Sequence, residues 1–169
     1  FSTYLINTIV LTIGTGLLST LIGVFCAWVI ACCEFPLKKF FEWALILPLA
    51  IPTYVSAYAY FDILELSNPI LIWVRENINL EAMQSLNSFF VYFFTILVLS
   101  SVLYPYIYLL TRASFLKQGN QLIEAGLSLG HNMNEIFWKI ALPMARPAVF
   151  AGLSLVIMET LNDYGAVKH

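Results

Sequence analysis

Long apolar runs constrain this chain more than any other feature of its sequence. A helix that crosses a lipid bilayer needs about 20 consecutive, mostly apolar residues. Four segments satisfy this requirement, and they cover residues 4–33, 41–63, 89–111 and 143–161. Backbone amides and carbonyls inside hydrocarbon must be hydrogen-bonded to each other, so such runs favour helices. The sequence therefore predicts an all-α, polytopic bundle of transmembrane helices.

Composition argues against an ordinary soluble domain. Hydrophobic residues fill 60% of the 169 positions and charged residues 11%, against about 45–50% and about 25% in typical soluble domains. A soluble fold of this size has too little interior to hide so much apolar surface. The net charge of −2 also gives no basic surface for nucleic acid.

Basic residues indicate which loops face the cytoplasm, because Lys and Arg concentrate on that side. Six of the eight lie in or beside two loops: Lys38, Lys39, Arg112, Lys117, Lys139 and Arg146. The loop between the second and third spans carries only Arg75 among several Glu residues. We therefore predict that both ends of the chain lie outside and that residues 112–142 are cytoplasmic. Residues 69–80 are interpreted as an amphipathic cover over the outer mouth, with a short interfacial helix as the alternative.

The sequence contains no group of residues typical of an enzyme or of a resident metal. Residues 14–20 combine glycines with hydroxyl side chains, but no Lys follows them, so they do not form a phosphate-binding loop. Cys26, Cys32 and Cys33 lack CxxC spacing and a nearby His partner, which favours small apolar residues of a helix. We therefore expect no catalytic residue, no metal and no cofactor.

The segment 112–142 is a polar island between two apolar runs, and it is long for a connection between neighbouring helices. Its sequence predicts a short helix over 123–129 that ends at Gly130, because glycine adopts the left-handed conformation without a Cβ penalty. A second short helix is predicted over 132–139, and Pro143 suits the first turn of the next span. Two short helices at an angle form a stiff elbow.

A spaced set of residues lies in this segment: Glu124, Ala125, Gly126, Gly130, Ile140, Leu142 and Pro143. It resembles the EAA loop of ABC importer permeases, which reads Glu-Ala-Ala, three residues, Gly, nine residues, Ile, one residue, Leu-Pro. Every spacing matches, and the one departure is Gly126 in place of the second Ala. The resemblance implies the type I (MetI-like) permease fold, in which this loop fits a groove on a separate ATPase subunit.

Two further stretches resemble ferric iron permeases within that class. They are residues 47–60, with Pro52, Tyr54 and Tyr58, and residues 158–167, with Glu159, Asp163 and Tyr164. An ionisable residue in a span is costly and is by default a functional candidate, so these residues are expected in the pathway or in docking. The alternatives are a proline-kinked helix and an aromatic belt. Thiamine, sulfate and polyamine permeases share parts of the same pattern.

The resemblance implies a function and a set of partners. The chain is expected to form the membrane path of a ferric iron importer by alternating access, with ATP hydrolysis left to cytoplasmic ABC ATPase subunits. The other expected partners are a periplasmic or extracellular substrate-binding protein, the lipid bilayer of the bacterial plasma (inner) membrane, and a second permease half, fused or separate. The chain is also expected to be a fragment of a longer protein. The same importer class with another substrate, and a non-transporting membrane scaffold or receptor component, remain open.

Overall fold

The computed structural model describes residues 2–51, 55 and 80–166, with side chains over 5–51, 55, 92–119 and 122–162. Several sequence predictions fall outside these residues: positions 52–54 and 56–63 of the predicted span 41–63, the outer segment up to residue 79, and Pro52, Tyr54 and Tyr58. The side chains of Asp163 and Tyr164 lie outside them too.

The described part of the chain is almost entirely helical and contains no strand, which confirms the all-α prediction. Its three long helices are α1 (Ser2–Cys32), α3 (Leu80–Ser128) and α5 (Leu142–Ala166). The short helix α2 (Lys38–Ala44) precedes a 3₁₀ helix, Leu47–Ala50, and the short helix α4 (Met133–Ile136) precedes a π-helix, Phe137–Ala141.

Three helical stretches of the described chain are long and apolar enough to cross a membrane. They are Leu5–Cys32, Tyr92–Gly119 and Met133–Asn162, and they overlap the first, third and fourth predicted spans. The third and fourth spans belong to helices that continue well beyond the apolar runs. Hydropathy locates the membrane-crossing part of a helix, whereas caps and breaks decide where the helix ends.

The helix α1 has two faces with different chemistry. Exposed apolar side chains recur every fourth residue along one face: Leu5, Ile9, Ile13, Leu17, Leu21 and Phe25. The opposite face buries smaller or polar side chains, including Thr15, Ser19 and Ala27. An unbroken apolar stripe suits contact with lipid, and small buried residues allow neighbouring helices to approach closely.

The three long helices pack closely at Ile107 of α3, which is fully buried. A Cβ added to Gly23 of α1 would come within 2.9 Å of Ile107 Cβ. A Cβ added to Gly152 of α5 would come within 2.8 Å of Ile107 Cα. Glycine at both positions therefore removes the atoms that would hold the helices apart.

Polar contacts fasten α2 to α3. The Tyr104 hydroxyl donates to the Leu45 carbonyl at 2.9 Å, and the Tyr108 hydroxyl donates to the Glu42 carbonyl at 3.5 Å. Carbonyls at the end of a helix have no amide partner within it, so these hydroxyls satisfy them. The Arg112 guanidinium also pairs with the Glu42 carboxylate at 3.1 Å. These contacts fix the start of the predicted second span against α3.

Candidate functional site

The site begins where Gly119 interrupts α3. Gly119 has φ 72° and ψ 162°, a backbone conformation that is essentially restricted to glycine. The chain then resumes a helix that ends at Ser128. Residues 112–118, which were predicted as the start of the loop, therefore continue the helix of the third span. We define the elbow as residues 119–141, with a first arm before Gly130 and a second arm after it.

The first arm ends at Gly130 in a Schellman turn. Gly130 has φ 82°, and its amide donates to the Leu127 carbonyl at 3.0 Å. The His131 amide donates to the Gly126 carbonyl at 3.1 Å. These two hydrogen bonds define a helix that is terminated by a left-handed glycine. The prediction that Gly130 ends the first short helix is confirmed.

The second arm starts with a capping box formed by Asn132 and Glu135. The Asn132 amide donates to the Glu135 carboxylate at 3.2 Å. The same carboxylate contacts His131 Nδ1 at 3.2 Å and Lys139 Nζ at 3.0 Å. Glu135 therefore connects His131 and Asn132, which follow Gly130, to Lys139 one helical turn further along the second arm. These contacts fix the bend between the two arms.

The second arm runs into α5 without a break, through the π-helix Phe137–Ala141. The Leu142 amide donates to the Phe137 carbonyl, five residues earlier. Pro143 has no amide proton, and in a regular helix its ring collides with the carbonyl four residues before it. A wider π turn relieves that collision. A helical stretch covers most of the predicted range 132–139, and Pro143 lies in the first turn of α5, as predicted. The structure differs from the prediction in that no break separates the two.

The residues of the spaced pattern differ in exposure. Glu124, Ala125 and Gly130 are exposed, Gly126 is buried, and Ile140, Leu142 and Pro143 are partly buried. Gly126 lies against the second arm, where an added Cβ would come 2.8 Å from both Cδ1 and Cγ1 of Ile136. The position at which the pattern departs from Ala is thus the point where the two arms touch.

We expect Gly126→Ala to destabilise the elbow, because Ile136 is itself buried and overpacking a filled site costs about 1–3 kcal/mol. Ile136→Val removes the Cδ1 atom, so the double variant should recover part of the loss. Thermal unfolding of the purified full-length chain measures this, with Ile136→Val alone as the control. A Gly126→Ala protein as stable as the wild type would contradict the close contact between the arms.

Exposed apolar side chains project from both arms of the elbow. Leu127 is 49% exposed, Leu129 78% and Trp138 66%. Large exposed apolar residues on an otherwise polar segment are typical of a surface that binds another protein. The sequence did not predict Leu127 and Trp138 as binding residues. An apolar residue in a short amphipathic helix can be buried or exposed, and the sequence does not distinguish the two. The exposed Glu124 side chain lies on the first arm as well.

Among the predicted pathway residues, Glu159 lies far from the elbow. Glu159 is partly buried in α5, sixteen positions after Pro143, which corresponds to about 24 Å along a helix. Asp163 and Tyr164 continue the same helix. No group of three His, Cys, Asp or Glu residues that could hold a metal occurs within the described ranges. The described structure therefore places the residues of the pattern in the elbow or directly after it, and places Glu159 in a different part of α5.

A chain with several membrane-crossing helices and an ordered elbow between two of them is a multi-pass membrane component. The profile of the family described as "Binding-protein-dependent transport system inner membrane component" matches residues 19–168. The chain belongs to this family. It is accordingly an inner-membrane transport component and not a member of an enzyme family.

Individual relatives agree on the class of protein and differ in cargo. The chain is 28% identical over 162 residues to a Fe(3+)-transport system permease protein of Haemophilus influenzae, covering 96% of this chain and 28% of that protein. It is 27% identical over 169 residues to a probable sulfate transport system permease protein of Chlorokybus atmophyticus, covering 96% and 56%. A sulfate transport system permease protein of Synechocystis is 26% identical over 166 residues, covering 98% and 55%. The chain thus spans less than two thirds of each relative.

Proposed function

We propose that this chain is the permease part of an ABC importer, and that its elbow receives movement from separate cytoplasmic ATPase subunits. The elbow geometry carries this proposal. The turn at Gly130 and the contact between Gly126 and Ile136 hold the two arms in one arrangement. A partner that moves the exposed side chains of Leu129 and Trp138 would therefore move the arms as a unit.

The elbow is continuous with two spans, so its displacement acts on both of them. The first arm is joined to α3 at Gly119, and the second arm leads into α5 through the π-helix. ATP needs only to favour one conformation of the ATPase subunits to shift the equilibrium between inward-facing and outward-facing spans. An external substrate-binding protein and a second permease half complete the proposed importer.

Ferric iron is the cargo that we propose. One relative is a Fe(3+)-transport permease, and the charges on the predicted outer side support a cation. In α5, the charged residues that follow Arg146 are Glu159 and Asp163, and both are acidic. The predicted outer loop adds Glu65, Glu76 and Glu81 against Arg75. A negative surface raises the local concentration of cations and lowers that of sulfate.

ATP-driven uptake into liposomes tests both parts of the proposal. The liposomes would contain the full natural chain, its ATPase subunit and its binding protein, with ferric iron and sulfate offered in parallel. We expect ferric iron uptake that requires ATP. Uptake of sulfate alone would retain the importer class and reject the cargo. A verified assembly that neither hydrolyses ATP nor takes up either ion would favour the scaffold alternative.

A further inference from the structure

One side chain of α1, that of Trp28, contacts an aromatic ring just before the elbow and another within its second arm. The Trp28 ring centroid lies 5.4 Å from that of Phe115 in α3, with the rings at 77° to each other. It lies 5.0 Å from the ring centroid of Phe137, the first residue of the π-helix, at 56°. Trp28 therefore joins three segments that are far apart in sequence.

The two aromatic partners of Trp28 lie in different parts of the chain, one in the helix bundle and the other in the second arm of the elbow. Phe115 is buried in the core of the bundle and precedes the break at Gly119. Phe137 follows the turn at Gly130 and begins a π-helix, a helix type that often occurs at functional sites. A movement of the second arm against the bundle would therefore change the position of Phe137 relative to Phe115.

The connection between α1 and the elbow depends on side chains. The elbow is covalently continuous with α3 and α5, whereas α1 is separated from it by more than 80 residues of sequence. The backbones of α1 and the second arm approach each other at few points in the described structure. A small cavity lined by Trp28, Cys32, Ile123 and Ile140, among others, lies beside this contact. The Trp28 side chain thus provides a direct contact between α1 and the second arm.

We infer that Trp28 is a positioning residue for transport, through which movement of the elbow reaches α1. This inference rests on the proposed function of the elbow. Aromatic rings in edge-to-face and tilted contact have preferred relative orientations. A displacement of Phe137 therefore favours a matching displacement of the Trp28 ring, and the ring is attached to α1. Without it, α1 has no aromatic contact with the second arm and follows the elbow only through its packing against α3 and α5.

The test compares uptake with ATP hydrolysis in the assembled transporter. In Trp28→Ala we expect uptake to fall at least about fivefold, a typical size for the loss of coupling between two sites. ATP hydrolysis stimulated by the binding protein should persist, so more ATP is consumed for each cargo ion. Trp28→Phe keeps an aromatic ring and should restore most of the coupling. Trp43→Ala is the matched control, because the Trp43 side chain is 76% exposed.

Two outcomes would overturn the inference. An unchanged ratio of ATP hydrolysed to cargo transported in Trp28→Ala would show that the ring carries no movement. Trp28→Ala could instead lower the amount of assembled complex, ATP hydrolysis and uptake in parallel. If Trp28→Phe showed the same parallel loss, Trp28 would be a structural residue only. Absence of ATP-driven uptake in the wild-type assembly would instead refute the proposed function, so the two failures are distinguishable.

Discussion

Gly130→Pro should abolish ATP-driven uptake while the full-length chain remains in the membrane. Gly130 has φ 82°, and proline is locked near −65°. The substitution also removes the amide that donates to the Leu127 carbonyl. A proline in a conformation it cannot adopt costs about 3 kcal/mol or more, which is enough to displace the turn between the two arms. We expect uptake to fall more than tenfold, since about 1.4 kcal/mol corresponds to a factor of ten.

The matched control for this substitution is Gly130→Asn. Asparagine tolerates the left-handed conformation at the end of a helix and keeps its backbone amide. Uptake by this variant should stay close to the wild-type rate, and immunodetection in the membrane fraction shows whether each variant is present. Normal uptake by Gly130→Pro would contradict the elbow mechanism. An equal loss in Gly130→Asn would show that the backbone conformation is not the cause.

Gly152→Val should prevent α5 from packing against α3 at the observed distance. The added Cβ would lie 2.8 Å from Ile107 Cα, a backbone atom that cannot rotate away, so the two helices must separate. Overpacking of this kind costs about 1–3 kcal/mol, and occasionally more. We expect the unfolding temperature of the purified full-length chain to fall by roughly 5 °C, as measured by a fluorescence thermal scan.

Gly16→Ala is the matched control for the clash at Gly152. Its added Cβ would lie 3.0 Å from Leu153 Cδ1, which is the end of a flexible side chain and can move aside. This variant should therefore unfold close to the wild-type temperature. Ile107→Val shortens the side chain but leaves the Cα atom in place, so it should not restore the unfolding temperature of Gly152→Val. A double variant that unfolds at the wild-type temperature would contradict the clash with the Ile107 backbone.

The sequence predicted the features that follow from local chemistry. Apolar runs must reach a length set by the bilayer, so three of the predicted spans coincide with long helices in the described chain. Glycine is favoured where a helix ends in a left-handed residue, so Gly130 could be located from its place after Leu129. The spacing from Glu124 to Pro143 identified the elbow before its shape was known.

The remaining features depend on contacts between distant residues or on competing local preferences. The sequence around Gly119 contains no helix-stop signal. It therefore could not show whether this glycine breaks the helix or is tolerated inside it. The sequence predicted Pro143 in the first turn of a helix, but it did not predict the π-helix Phe137–Ala141 that joins this helix to the second arm. The packing of Gly126 on Ile136 and the contacts of Trp28 require tertiary structure. Leu127 and Trp138 became candidates only once their exposure was known.

A photo-crosslinking residue at the position of Leu129 tests directly whether the elbow binds the ATPase subunit. Leu129 is 78% exposed in the elbow, and Leu21, 68% exposed on the apolar stripe of α1, is the matched control position. In the assembled full-length transporter, we predict a crosslink to the ATPase from position 129 and none from position 21. A complex that hydrolyses ATP and takes up cargo but forms no crosslink to the ATPase from position 129 would contradict the proposed role of the elbow.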